Sequence, residues 1–240
     1  MTFPARPASL PDMPRIARAA EAGLIYHVLN RGNGRLRLFH KDADYAAFEQ
    51  VLAEGLGRYP VDLLTYCLMP NHWHLVLRPR TDAALSQLMR WVGVTHVRRH
   101  HEHYRTRGGG HLYQGRYKSF PVQTESYFLT LCRYVEANAV RAGLVRRGET
   151  WPWGGLYARQ RGGKPVVLCD WPVDLPANWL ALVNEGLDER VLAQLRTCVN
   201  RGRPLGAETW VLRSARRLGL LSTLRKAGRP RRSAGGGEGQ

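Results

Sequence analysis

Two histidines, His72 and His74, stand one residue apart in the apolar run MPNHWHLVL. The run reads as a β-strand, and in a strand residues i and i+2 project from the same face. Two imidazoles on one face of a half-buried strand either find hydrogen-bond partners in the core or share a ligand. The ligand suited to paired neutral imidazoles is a metal ion. The pair alone leaves both readings open, and a third donor has to decide between them.

The segment ESYFLTLCRYVEANAV, residues 125–140, offers such a donor and a reactive group. Its apolar spacing predicts one helix whose inward face runs through Tyr127, Phe128, Leu131, Tyr134, Val135 and Asn138. Tyr134 and Asn138 lie four residues apart, one turn from each other on that face. A buried amide needs partners, so the Asn138 carbonyl oxygen is a candidate third ligand with the Tyr134 phenol beside it. A core aromatic followed by a helix-capping Asn has the same pattern. No Asp or Glu accompanies the histidine pair as a general base, which weighs against a hydrolase that activates water.

The elements that must position these groups follow from periodicity and turn residues. GLIYHVLNRG (23–32) predicts a strand and DADYAAFEQVLAEGLGRY (42–59) a helix opening at Asp42. VDLLTYCLM and HWHLVLRP predict two strands joined by a turn at 70–71. AALSQLMRWVGVTHVRRHHEHYR (83–105) predicts a long helix with a basic end, followed by a glycine-rich loop and a strand within 108–123. The order β-α-β-β-α-β-α implies an α+β fold, a ferredoxin-like antiparallel sheet with helices on one face, plus a helical C-terminal region. The expected divisions are a flexible lead-in (1–22), the sheet domain (23–157), a helical basic region (158–224) and a disordered basic tail (225–240).

Charge points to the partner. Thirty-six Lys and Arg against nineteen Asp and Glu give +17, most of it from Arg, whose planar fork binds phosphate oxygens in pairs. Nucleic acid fits better than a membrane, since no apolar span or amphipathic basic anchor is present. The N-terminus has no signal-peptide core and the four cysteines form no CxxC pair, so a cytoplasmic protein with reduced thiols is expected. Arg98, Arg99 and Arg105 on the long helix, with Arg116 and Lys118 in QGRYKS, are candidate DNA contacts. His96, His100, His101 and His103 read as part of a partly exposed DNA-facing surface rather than a metal cluster. Arg229, Arg231 and Arg232, in GRPRR, are candidate minor-groove contacts, whereas Arg201-Gly202-Arg203-Pro204 reads as a turn.

As a set, MPNHWHLVL, LYQGRYKSF and RYVEANAVRAGLV resemble the HUH single-tyrosine transposases (U being a hydrophobic residue), and among them the REP-associated tyrosine transposases. The likeness runs from about residue 24 to about 157. It implies the HUH nuclease fold, with His72, His74 and Asn138 holding a divalent metal ion, Mg²⁺ or Mn²⁺, and Tyr134 as nucleophile. The family commonly has Asn-Pro where this chain has Asn138-Ala139. The implied activity is metal-dependent cleavage and rejoining of one DNA strand through a 5′-phosphotyrosine. The implied partner is single-stranded or hairpin DNA, and the expected state a monomer or homodimer. The alternative is a domesticated DNA- or RNA-binding protein with the same fold and no catalysis.

Overall fold

VDLLTYCLM is apolar at nearly every position, so both faces of the strand it forms must be covered. That requirement shapes the whole molecule. The computed structural model describes residues 20–225; Arg229, Arg231 and Arg232, most of the expected lead-in and nearly all of the expected tail lie outside the described residues. Four strands, β1 (Ile25–Arg31), β2 (Val61–Met69), β3 (His72–Pro79) and β4 (Lys118–Val122), form an antiparallel sheet in the order β2-β3-β1-β4. This is the ferredoxin-like order, with α1 (Asp42–Leu56) crossing between β1 and β2, and α2 (Ala84–His103) between β3 and β4.

Helices cover both faces of the sheet, a correction to the expected single helical face. On one side Tyr26, Val28, Tyr66, Trp73 and Leu75 pack against Tyr45, Phe48 and Leu52 of α1 and Leu85, Leu88 and Val92 of α2. On the other, Ile25, Cys67, Val76, Phe120 and Val122 pack against Phe128, Leu131, Tyr134 and Val135 of α3 (Ser126–Glu136). Each fully buried aliphatic or aromatic side chain contributes about 1.5–3 kcal/mol, so neither apolar face can stay open to water.

The expected helix over 125–140 is two pieces. α3 ends at Glu136, Ala137 has ψ near 2°, and a short α4 (Asn138–Arg141) follows. Arg141 accounts for the altered end: its Nη1 donates to the Tyr134 carbonyl (3.0 Å) and its Nη2 to Asn138 Oδ1 (2.6 Å). A helix end leaves carbonyls in need of donors, and here a side chain supplies one.

The C-terminal segments brace the sheet. After α5 (Gly155–Arg161) come α6 (Trp179–Glu185), α7 (Glu189–Arg201) and α8 (Glu208–Arg217); Trp179, Val183, Leu192, Leu195 and Cys198 enter the core on the α3 side. Leu68 N donates to Trp153 O (2.8 Å), Cys169 N to Leu63 O (2.9 Å) and Trp171 Nε1 to Leu64 O (2.8 Å), along the outer edge of β2. At the opposite edge Gln123 N donates to Leu205 O (2.8 Å) and Leu205 N to Pro121 O (3.0 Å). The turn expected at Arg201–Pro204 is the cap of α7, with Gly202 at φ 70°. Buried Glu136 ties the layers together, accepting from Thr65 Oγ1 and Trp179 Nε1 at 2.7 Å each. Burial raises its pKa, opposed by those two donors.

Gly155 marks how closely α5 approaches β2. A Cβ there would overlap Thr65 Oγ1 and lie 2.9 Å from Tyr66 N, so only glycine fits. Gly155→Ala is expected to destabilise the fold by about 1–3 kcal/mol through overpacking, read as a lowered urea midpoint with unchanged slope.

Candidate active site

His72 and His74 lie on β3 with side chains on the α3 face, as the alternation requires. Strand pairing fixes their neighbours: His72 lies opposite Arg31 and Met69, and His74 opposite Leu29 and Cys67. The two rings meet edge to face with centroids 5.0 Å apart. His74 is buried and His72 half-buried at the strand end.

Each ring has a second partner. His72 Nδ1 lies 2.6 Å from Asn71 Oδ1, an oxygen that can only accept, so Nδ1 carries the proton and Nε2 the lone pair. His74 Nδ1 lies 2.8 Å from Nε2 of His27, a fully buried histidine on β1 whose ring stacks parallel to that of His74. With His27 accepting, His74 too presents a lone pair at Nε2. A partner on the far ring nitrogen is the usual arrangement around a metal-binding histidine. Burial pushes the pKa of His72 down to about 4, with Arg31 and Arg141 adding to it, and that of His27 down to about 3. Burial, then His72 and His27, holds His74 well below its ordinary value. All three rings are therefore neutral at pH 7.

α3 brings Tyr134 to the same point. Its ring stands edge to face with His74 at 5.8 Å and with His27 at 6.2 Å. The Arg141 guanidinium lies 4.3 Å from the Tyr134 ring centre and binds Asn138 Oδ1. Tyr134 and Asn138 are both buried, and Asn138 Nδ2 is buried without a hydrogen-bond partner. Among the described residues no cluster of three or more His, Cys, Asp and Glu could hold a metal ion. A metal here would need two imidazoles and the Asn138 amide. Lys118, opposite Leu29 and exposed, shares this face with the histidines, as does exposed Arg31.

The remaining candidates divide. Arg98 and Arg116 are exposed and line a groove between α2 and the glycine-rich loop. Arg99 is a bidentate partner of Glu54 on α1, at 2.9 and 3.2 Å. Arg105 follows the end of α2 with φ 52° and is exposed. His96 corrects the expectation of a DNA-facing histidine surface: it is buried, its Nδ1 2.6 Å from the Tyr113 hydroxyl, which also accepts from Trp73 Nε1. Burial brings its pKa down to about 3. Its position on the apolar side of α2, one turn after Val92, put it in the core. His100 packs on Tyr104 and His101 bonds Thr106 at the end of α2, and His103 bonds Lys41 at the start of α1.

Sequence reasoning missed His27, Asn71, Arg31 and Arg141. The signal for His27 was its parity with Ile25, Leu29 and Arg31 on an apolar strand, and for Arg141 its spacing of seven from Tyr134.

Residues 21–138 match the family model described as IS200-like transposase. No curated protein matches the chain. A solved structure of a REP-associated tyrosine transposase bound to a REP hairpin is similar at 18% identity, covering 74% of this chain and 96% of that one, with a TM-score of 0.48. A candidate transposase from Deinococcus radiodurans is similar at 17% identity over 54% of this chain and 92% of its own, with a TM-score of 0.36. The matched segment, residues 21–138, carries β1 to β4, both histidines, Tyr134 and Asn138, and belongs to the IS200-like transposase family.

Proposed function

We propose that the protein is a transposase that cuts and rejoins one strand of single-stranded or hairpin DNA, with Tyr134 as the nucleophile. Residues 23–157 form the catalytic unit in this reading, and residues 158–224 brace it. The observation that carries it is the Tyr134 ring, held between His74 and the Arg141 guanidinium one turn from Asn138.

The residues fit a divalent ion, Mg²⁺ or Mn²⁺. His72 and His74 can each offer an Nε2 lone pair, and Asn138 Oδ1 keeps a second lone pair beside the one given to Arg141. Bound there, such an ion withdraws charge from the scissile phosphate and stabilises the leaving oxygen.

The rest is done by side chains. The Tyr134 oxygen bonds to phosphorus, the bond from phosphorus to the 3′-oxygen breaks, and that oxygen leaves as a 3′-hydroxyl on gaining a proton. The phenolic proton is lost to water as the new bond forms. Arg141 has no ion-pair partner among the described residues, so its charge is free to offset the phosphate. Asn71 holds the His72 imidazole in one tautomer, and His27 orients the imidazole of His74. Arg31, Lys118, Arg98, Arg105 and Arg116 supply phosphate contacts, which set affinity more than chemistry. The product, a 5′-phosphotyrosine, keeps the bond energy, so a 3′-hydroxyl can reverse the step without ATP.

A binding protein without catalysis is the second reading, favoured by the Arg141 bond that takes up one lone pair of Asn138. A labelled hairpin oligonucleotide separates the two. Tyr134→Phe removes one oxygen and should abolish the covalent adduct while hairpin affinity stays within about twofold, since phosphate contacts carry the affinity; an adduct surviving in this variant removes Tyr134 from the role. His74→Ala should abolish divalent-dependent cleavage with binding largely kept. The support given by His27 is tested by Mn²⁺ titration. His27→Leu should weaken Mn²⁺ binding about 10–100-fold, and His27→Gln, which keeps an acceptor, should recover part of it.

A further inference from the structure

The sheet has a second working end on the face away from His74. Between α2 and the loop 110–117 lies a groove of about 1100 Å³. Its walls are apolar: Met89, Val94 and Val97 come from α2, and Leu112 from the loop. Val94 is 63% exposed, although apolar and at the centre of a long helix. Arg90, Arg98 and Arg116 stand around the groove, and no Asp or Glu is among its lining residues. An apolar trough ringed by guanidinium groups matches flat uncharged rings on a polyanionic backbone. Duplex DNA, with its bases stacked away, would leave the trough unused.

The groove is tied to the catalytic face through one strand end. Gln114 N donates to Arg31 O (2.9 Å), Asn33 N to Leu112 O (2.8 Å) and Asn30 Nδ2 to Gly115 O (3.2 Å). Arg31 lies opposite His72, and its neighbour Asn30 lies opposite Trp73. Alternation sends the first pair to the α3 face and the second to the groove, which both Asn30 and Trp73 line. A DNA strand passing around this end of the sheet would have both sites on its path.

We propose that the groove between α2 and loop 110–117 holds unpaired bases of the DNA strand next to the phosphate that Tyr134 attacks. The inference rests on the strand-cleaving reading above and names where its substrate is gripped. Arg90, Arg98 and Arg116 take the phosphates, and the α2 wall takes the base faces. The volume exceeds the ~300–1,000 Å³ typical of a pocket for one small ligand, leaving room for more than one base.

The test measures binding without divalent ions, using the full chain and a mixed-sequence oligonucleotide about 20 nucleotides long, single-stranded or annealed, a length that spans one typical single-strand site. Val94→Glu sets a carboxylate in the wall at an exposed helical position, and a thermal melt confirms the fold. Single-strand affinity should fall about tenfold, the worth of one stacked base, with duplex affinity changed less than about twofold. Val94→Leu should bind as the unaltered protein does. Equal losses on single strand and duplex, or none on either, overturn the proposal. Adduct formation by the unaltered protein is scored separately: its absence with single-strand selectivity intact removes the cleavage reading and leaves the groove as a base-binding site.

Discussion

A hydrogen bond between two buried imidazoles organises the face of the sheet that carries the candidate site. His27 and His74 are carried by β1 and β3, the two inner strands of the sheet, and their facing nitrogens are 2.8 Å apart. Neither ring reaches bulk water, so a charge on either is unfavourable and the pair stays neutral. One proton lies between the two nitrogens, and its position sets what His74 presents beyond them. If His74 donates, its outer nitrogen is a ligand; if it accepts, that nitrogen is itself a donor. His27 Nδ1 is buried without a protein partner, so no second contact fixes the choice from behind.

Three exposed positive groups surround this pair: Arg141 lies on the Tyr134 ring, and Arg31 and Lys118 stand at strand ends on the same face. On the other face the aromatic network Trp73, Tyr113 and His96 makes a rigid floor. Trp73 falls between the two site histidines in sequence and points the opposite way, so a single tripeptide contributes to both faces. A strand achieves this at no cost in backbone geometry, because its period is two.

That same periodicity explains what could be read in advance. His72 and His74 at i and i+2, and Tyr134 and Asn138 at i and i+4, are local relations; in the structure Tyr134 meets His74, His72 stands beside His74, and Asn138 is tied to Tyr134 through Arg141. The bounds of β2 and β3 were legible because turn residues bracket largely apolar runs. His27 was not legible, because its pairing depends on which strand neighbours β3. Nor was the break after Glu136: Ala137 is a good helix former, and the cause is a side chain four residues on. The second helical layer was hinted at by the mostly apolar β2, but which segments would cover it is a matter of contacts such as Thr65–Glu136 and Leu64–Trp171, 71 and 107 residues apart. Arg99 shows the limit for surface charge, since its ion pair with Glu54 depends on how α1 and α2 cross.

The hydrogen bonds along the two outer strands have a consequence for assembly. Sheets commonly join between copies by adding strand to strand, which needs free backbone donors and acceptors at an edge. Here Leu63, Leu64 and Leu68 on one margin, and Pro121 and Gln123 on the other, already give those groups to the chain's own later segments. A second copy cannot extend the sheet at these positions without first displacing the braces. At these positions a pairing of two molecules would run through helices or loops, and each copy would keep its sheet, and the histidine pair within it, intact.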